Sequence, residues 1–195
     1  MRPTIALLLC ACVAACASPP KDNYYTLAPM APEGKALATP LSAAGITVVS
    51  SGLVETIDRP QLVMRASETR VQILEQQRWA EPLKYGIPRV VAANLARELG
   101  SLRVTSQTQA PLGNTAYRVA LDVQRFDSLP GEAAVVEVSW TIRRVDADVT
   151  MGGRSAVTER AAGGGYDALV AAHSRALATV SHEIAQALTA LAARP

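Results

Sequence analysis

The chain reads as an α+β fold, a single largely antiparallel β-sheet with two helices packed on one face. Three observations lead there. Short segments in which apolar residues alternate with polar or small ones recur along the sequence and read as half-buried strands. Two segments, near residues 83–99 and 166–191, carry the three- and four-residue apolar spacing of helices. Two helices among so many strands cannot build repeated βαβ units, so the strands are expected to follow one another in meander order.

The first segment stands outside that fold. Arg2 opens a short basic region, and an almost unbroken apolar run follows from Ile5 to Ala15. A membrane-spanning helix needs about 20 such residues, so the run reads as the core of a signal peptide. Its end, Val13-Ala14-Ala15-Cys16, resembles the lipobox of bacterial lipoproteins. That resemblance implies cleavage before Cys16, a diacylglycerol on its sulfur and an acyl chain on its new amino group; the thiol is the side chain nucleophilic enough for the thioether. A second frame would end at Cys12, with Leu9 and Ala11 in the matching places. Cys16 is preferred, because it leaves the longer apolar region and is followed at once by a polar, proline-bearing tether. An ordinary cleaved signal with chance cysteines is the bland alternative. The expected organisation is residues 1–15 as lipoprotein signal peptide, 16–22 as lipidated cysteine and tether, and 23–195 as one domain.

Asn23-Tyr-Tyr-Thr-Leu27 reads as a first short strand of aromatic and β-branched type. Residues 28–45, rich in Ala, Pro and Gly without a period, read as a loop. Ile46-Thr-Val-Val49 is the next strand. After a turn over Glu55 to Pro60, the runs Gln61–Arg65 and Arg70–Leu74 make a hairpin. Leu83, Ile87, Val90, Val91, Leu95 and Leu99 lie on one face of a helix closed by Gly100, with Pro88 expected in its first turn. Tyr117, Val119, Leu121 and Val123 alternate with polar or small neighbours, as do Val136, Val138, Trp140 and Ile142. Asp146 to Gly153 is expected to turn into a last strand around Ser155 to Ala161. The longest periodic segment follows Gly163-Gly-Gly165, with Tyr166, Leu169, Val170, Leu177, Val180, Ile184, Leu188 and Leu191 on its apolar stripe.

Composition narrows the function. Cleavage before Cys16 leaves 195 − 15 = 180 residues, the length of one domain. It leaves 18 basic residues against 17 acidic ones, since Arg2 departs with the leader, and no polybasic run calls for nucleic acid. All three cysteines, Cys10, Cys12 and Cys16, lie in that segment, so the domain has no disulfide, no thiolate nucleophile and no cysteine metal site. His173 and His182 are nine positions apart, which on a helix places them on nearly opposite faces, so they cannot share a metal. His182-Glu183 lacks the second histidine of a zinc-protease helix, and no serine sits in a G-x-S-x-G elbow. Gly163-Gly-Gly165 lacks the lysine of a phosphate loop, and Asp146 with Asp148 lacks the rest of a calcium loop. No catalytic residue, metal or cofactor beyond the acyl chains on Cys16 is expected.

Two features suggest docking. In Asp58-Arg59-Pro60-Gln61 the proline fixes its own φ and holds Arg59 extended, so the guanidinium sits on a stiff segment suited to a partner's carboxylate. The competing account is a surface ion pair to Asp58 or a glutamate, worth little. Trp79, just before a helix, is either an interface anchor or the lid of the core, and Trp140, in an alternating strand, is core.

Several of these pieces occur together in order: Tyr24-Tyr-Thr-Leu27, Ile57-Asp-Arg-Pro-Gln61, Arg78-Trp-Ala-Glu-Pro-Leu83, and Tyr117 to Phe126-Asp127 followed by the Trp140 strand. In this the chain resembles the PqiC/YmbA-type lipoproteins, the auxiliary lipoprotein family of ABC-type transport systems. The resemblance covers nearly the whole mature chain and departs in the extended Ala/Pro loop before Ile46. It implies a non-enzymatic lipoprotein that works with an MCE-domain protein and an associated ABC permease and ATPase in moving lipid between membranes. With Ala17 and Ser18 after the lipidated cysteine, it implies an address in the outer membrane, facing the periplasm. Arg59, Pro60, Gln61 and Trp79 are then the expected docking residues. A lipid-binding carrier and a structural envelope tether are the alternatives.

Overall fold

The computed structural model describes residues 21–30, 40–111, 113–147 and 149–194. Residues 1–20, which hold all three cysteines, and residues 31–39 lie outside the described residues. The long strand β6, Tyr117–Leu129, organises the sheet. One side of β6 pairs antiparallel along its whole length with β7 (Ala133–Arg144), which pairs in turn with β8 (Val149–Arg160). The other side is shared. Its first half runs parallel to β2 (Ile46–Leu53), and its end meets β3 (Gln61–Arg65) where Met64 pairs with Ser128. Beyond β2 lies parallel β5 (Val104–Ser106); beyond β3 lie antiparallel β4 (Val71–Trp79) and, at the edge, β1 (Asn23–Tyr25).

The sheet is therefore mixed and forked, with most paired positions in antiparallel ladders. Two helices cover one face: α1 (Leu83–Glu98) over β2 and β5, and α2 (Tyr166–Ala192) over β7 and β8, packed against each other. The α+β class and the β3–β4 hairpin are as expected. The meander order is not, because β2 enters the middle of the sheet parallel to β6. Helix α1 crosses the covered face between β4 and β5, which lets β5 return parallel beside β2. That choice of neighbours is made by long-range packing, to which alternation within a strand is blind.

The core lies between the sheet and the helices. Val119, Leu121, Val136, Val138 and Ile142 meet Val90, Leu95, Leu177, Val180, Ile184 and Leu188, all fully buried. Each such side chain stabilises by about 1.5–3 kcal/mol on leaving water. A β-bulge between Val123 and Arg125 resets the alternation of β6. Beyond it Phe126 and Ser128 face the helices, whereas Arg125 and Asp127 face away.

Two local features differ from the sequence expectation. Pro88 sits in the second turn of α1, not the first, because the helix starts at Leu83 with Pro82 as its N-cap. Without an N–H at Pro88 the carbonyl of Lys84 loses its helical partner, and it instead accepts the side-chain amide of Gln107 at 3.0 Å. The same Gln107 accepts the Ser50 backbone N–H at 2.9 Å, tying α1 to β2. Strand β8 begins at Val149, so Gly152 and Gly153 are strand residues opposite Thr141 and Trp140. The reason is Trp140, whose indole lies on Gly153: a Cβ there would stand 2.2 Å from the ring. The indole N–H donates to Ser155 at 3.0 Å, and the Ser155 hydroxyl donates to Glu183 of α2.

Candidate functional site

The two segments expected to dock a partner come together at one corner. Gln61 opens β3 opposite Arg78 near the end of β4, and the Trp79 N–H donates to the Pro60 carbonyl at 2.7 Å. The turn before Pro60 is built by the Ile57 N–H on the Val54 carbonyl and the Asp58 N–H on that of Glu55. Arg59 donates through Nε to the Thr56 carbonyl at 2.9 Å, so its side chain folds back over this turn. It has no carboxylate within ion-pair distance among the described residues, which sets aside the surface-pair account. Pro60 is exposed, and Gln61 is half-buried with its amide on Glu75 at 3.2 Å.

Trp79 is different. Only 7% of it is exposed, and its ring packs edge-on against Phe126 and His173, with centroids 6.2 and 6.4 Å away. Its side chain closes the core while its backbone supports Pro60. The recess beneath it, lined by Ile57, Gln61, Val63, Leu83 and Phe126, has a volume of about 10 Å³, room for one water at most.

The tether reaches the domain at this same edge. Asp22 pairs with Arg78 at 3.2 Å, the Tyr25 hydroxyl donates to Gln77 at 2.6 Å, and the Ala80 N–H donates to the Tyr25 carbonyl at 2.8 Å. Burial, together with the Asp167 carboxylate and Tyr166, raises the Tyr25 phenol above its ordinary value. Arg89 of α1 holds Glu81 and the Leu27 carbonyl, locking the strand's exit. Cys16, the expected lipid-attachment residue, lies outside the described residues, nine positions before Tyr25.

A second cluster was not singled out from the sequence. Asp127, with its side chain 8% exposed, accepts Arg65 at 2.8 Å and Arg125 at 2.6 Å. Burial pushes its carboxyl up, but the hydrogen bonds and charges of the two guanidiniums outweigh that and hold it below the usual range. Arg125 also reaches Glu137 at 3.5 Å, and Arg154 pairs with the other oxygen of Glu137. The chain of charge runs from β3 across β6 and β7 to β8, and borders an open cleft of about 640 Å³ beside Ser67, Glu68, Pro130 and Glu132. The bulge in β6 hid it, since unbroken alternation from Tyr117 would turn Asp127 toward the core.

On the other side of β6, His173 is completely buried, stacked on Phe126 with centroids 3.9 Å apart and bonded through Nε2 to the Ser128 hydroxyl at 2.9 Å. Its Nδ1 has no partner among the described residues. Burial lowers its pKa to about 3, against a small opposing pull from Asp127, so the ring is neutral. A serine beside a neutral histidine invites a hydrolytic reading, but Ser128 is 4% exposed and His173 not at all, so no substrate reaches the hydroxyl. His173 lies inside the core, on the face of α2 opposite His182. His182 is partly exposed on the outer side of α2, between Glu98 and Gln186, as the helical spacing required.

The architecture is shared with solved structures of low sequence identity. A crystal structure of a protein described only as uncharacterized aligns with a TM-score of 0.67 at 20% identity, over 87% of this chain and 99% of that one. Protein XCC0632 from Xanthomonas campestris, a DUF330 protein, aligns with a TM-score of 0.69 at 19% identity, over 86% and 94%. At such identities the likeness is one of fold. No curated protein matches the chain. The family model for the ABC-type transport auxiliary lipoprotein component matches residues 25–185, from the last residue of β1 deep into α2. With the match spanning every strand from Tyr25 onward and both helices, the chain belongs to the ABC-type transport auxiliary lipoprotein family.

Proposed function

We propose that this lipoprotein is the outer-membrane partner of an MCE-type lipid transport system, working with an ABC permease and ATPase and contributing by docking. The observation that carries the reading is the family match over residues 25–185. Cys16 carries the acyl chains, and each buried CH₂ adds about 0.8 kcal/mol, so several chains hold the domain on the bilayer essentially permanently. No helix among the described residues is long and apolar enough to cross a membrane. From Cys16 to Asn23 the tether spans at most about 25 Å when extended, so the β1–β4 edge and the Arg59–Gln61 corner stay close to the membrane surface.

Docking is favoured over carriage because the core is filled. The recess under Trp79 is far too small for an acyl chain, and the cleft of about 640 Å³ beside Asp127 is open and lined largely by charged and polar residues, unlike the mostly apolar pockets that take lipid. Arg59, Pro60 and Gln61 form the proposed docking corner, with Trp79 supporting it from within. Crosslinking the tagged full-length protein in envelopes, followed by mass spectrometry of what co-purifies, tests the assignment. Recovery of an MCE-domain protein with its permease, weakened by Arg59→Ala, is expected. Recovery of cell-wall and outer-membrane proteins alone would move the tether reading to the front, and co-purified phospholipid would favour the carrier.

A further inference from the structure

The edges of the sheet are unequal. Strands β1 and β5 expose three residues each, whereas β8 exposes twelve. The register fixes what β8 presents. The Ala161 N–H donates to the Glu132 carbonyl, so the odd-numbered residues of β8 pair with β7 and the even-numbered ones turn N–H and C=O outward. Thr150, Gly152, Arg154, Ala156 and Thr158 have no partner for these groups among the described residues, and at Arg160 the carbonyl alone is taken, by Arg175. All six residues are exposed, and the five side chains among them turn to the face that the helices leave uncovered.

That face carries a charge the composition does not betray. Strand alternation deals Arg118, Arg125, Arg143, Arg154 and Arg160 onto it, against Asp122, Asp127 and Glu137. Arg118 and Arg143 stand directly opposite each other. Between the arginines the residues are small: Ala120, Ser139, Thr141, Gly152 and Ala156. Among the described residues of β6, β7 and β8 no aromatic side chain is exposed on this face, and long arginines on the strand itself discourage pairing with a second copy.

We infer that the β8 edge is a strand-addition site for an extended acidic segment of a partner protein, whose carboxylates meet Arg160, which has no ion-pair partner among the described residues, and Arg154, whose guanidinium is shared with Glu137. Main-chain hydrogen bonds supply the affinity and the arginines the selection. The inference rests on the proposed function only in treating the chain as a docking module; it uses an edge separated by β6 and β7 from β3, where the Arg59–Gln61 corner lies.

The test uses the full-length protein in detergent and a fluorescent eleven-residue peptide of alternating threonine and glutamate, whose glutamates share one face when extended. Saturable binding is expected, with about a tenfold loss on the R154E/R160E double variant and loss of binding when the glutamates are N-methylated. Amide exchange should slow at Thr150, Gly152, Arg154, Ala156 and Thr158 when the peptide is present. Absence of binding, equal binding of a lysine-for-glutamate peptide, or indifference to N-methylation each overturns the inference. None of these outcomes depends on whether an MCE protein is recovered from envelopes.

Discussion

His173 is expected to make this protein acid-sensitive well above the range in which its carboxylates protonate. The imidazole is fully buried and its pKa falls to about 3 in the fold, whereas an unfolded histidine titrates near 6.5. Between these values the unfolded chain binds a proton that the folded chain refuses, so stability falls as pH falls. It is complete above about pH 6.5 and drops by 1.36 kcal/mol per unit below it, about 2 kcal/mol by pH 5. Urea unfolding at pH 7.5, 6 and 5 measures the loss, and His173→Gln isolates it. The glutamine amide can still reach Ser128, but the stacking on Phe126 is gone, so the variant should be less stable at pH 7.5 by about 1–3 kcal/mol. The gap should then narrow by about 2 kcal/mol on going to pH 5, since the variant has no buried imidazole to keep neutral. His182 is present in both proteins and cancels. A gap that stays constant within about 0.5 kcal/mol, near the limit of the extrapolation, would refute the reasoning, because it would mean that His173 protonates in the folded state near its ordinary value.

Other expectations follow from the same contacts. Asp127→Asn removes the charge that Arg65 and Arg125 share, and should cost about 2–3 kcal/mol in urea unfolding, less than a fully buried pair because both guanidiniums are partly exposed. Its lowered pKa means that its contribution is complete above the ordinary carboxylate pKa and is lost progressively as pH falls from there to the folded value. Gly153→Ala places a methyl inside the Trp140 ring and should destabilise by about 2 kcal/mol or more, with a change in near-UV circular dichroism; an unchanged spectrum and stability would disprove the stacking. Gln107→Ala leaves the Ser50 N–H and the Lys84 carbonyl without their partner, at a cost of about 1–3 kcal/mol. Cys16→Ser should abolish labelling by a radioactive fatty acid and shift the protein out of the membrane fraction, whereas Cys12→Ser should do neither.

The strands, the two helices and their apolar faces could be read from the chain because they are local. Alternation from Tyr117 to Val123 and the 3.6-residue period from Tyr166 to Leu191 each follow from which side chains one element must bury. Trp140 as core and the opposed faces of His173 and His182 followed in the same way, as did the hairpin of β3 and β4. What remained hidden depends on residues far apart in the chain. The bulge after Val123 is set by pairing with β7, and it alone turns Asp127 away from the core toward Arg65, sixty-two positions earlier. Pro88 could enter the second turn of α1 because Gln107, beyond the helix, satisfies the freed carbonyl. Trp79 closes the core because β4 ends over Phe126 and His173. The near-neutral composition concealed an arginine-rich sheet face, because net charge sums over the whole surface while strand pleating sorts it by side. A sequence determines local periodicity through the burial of each element's own face; pairing partners, bulges and the sidedness of charge are decided only when distant segments compete for the same edge.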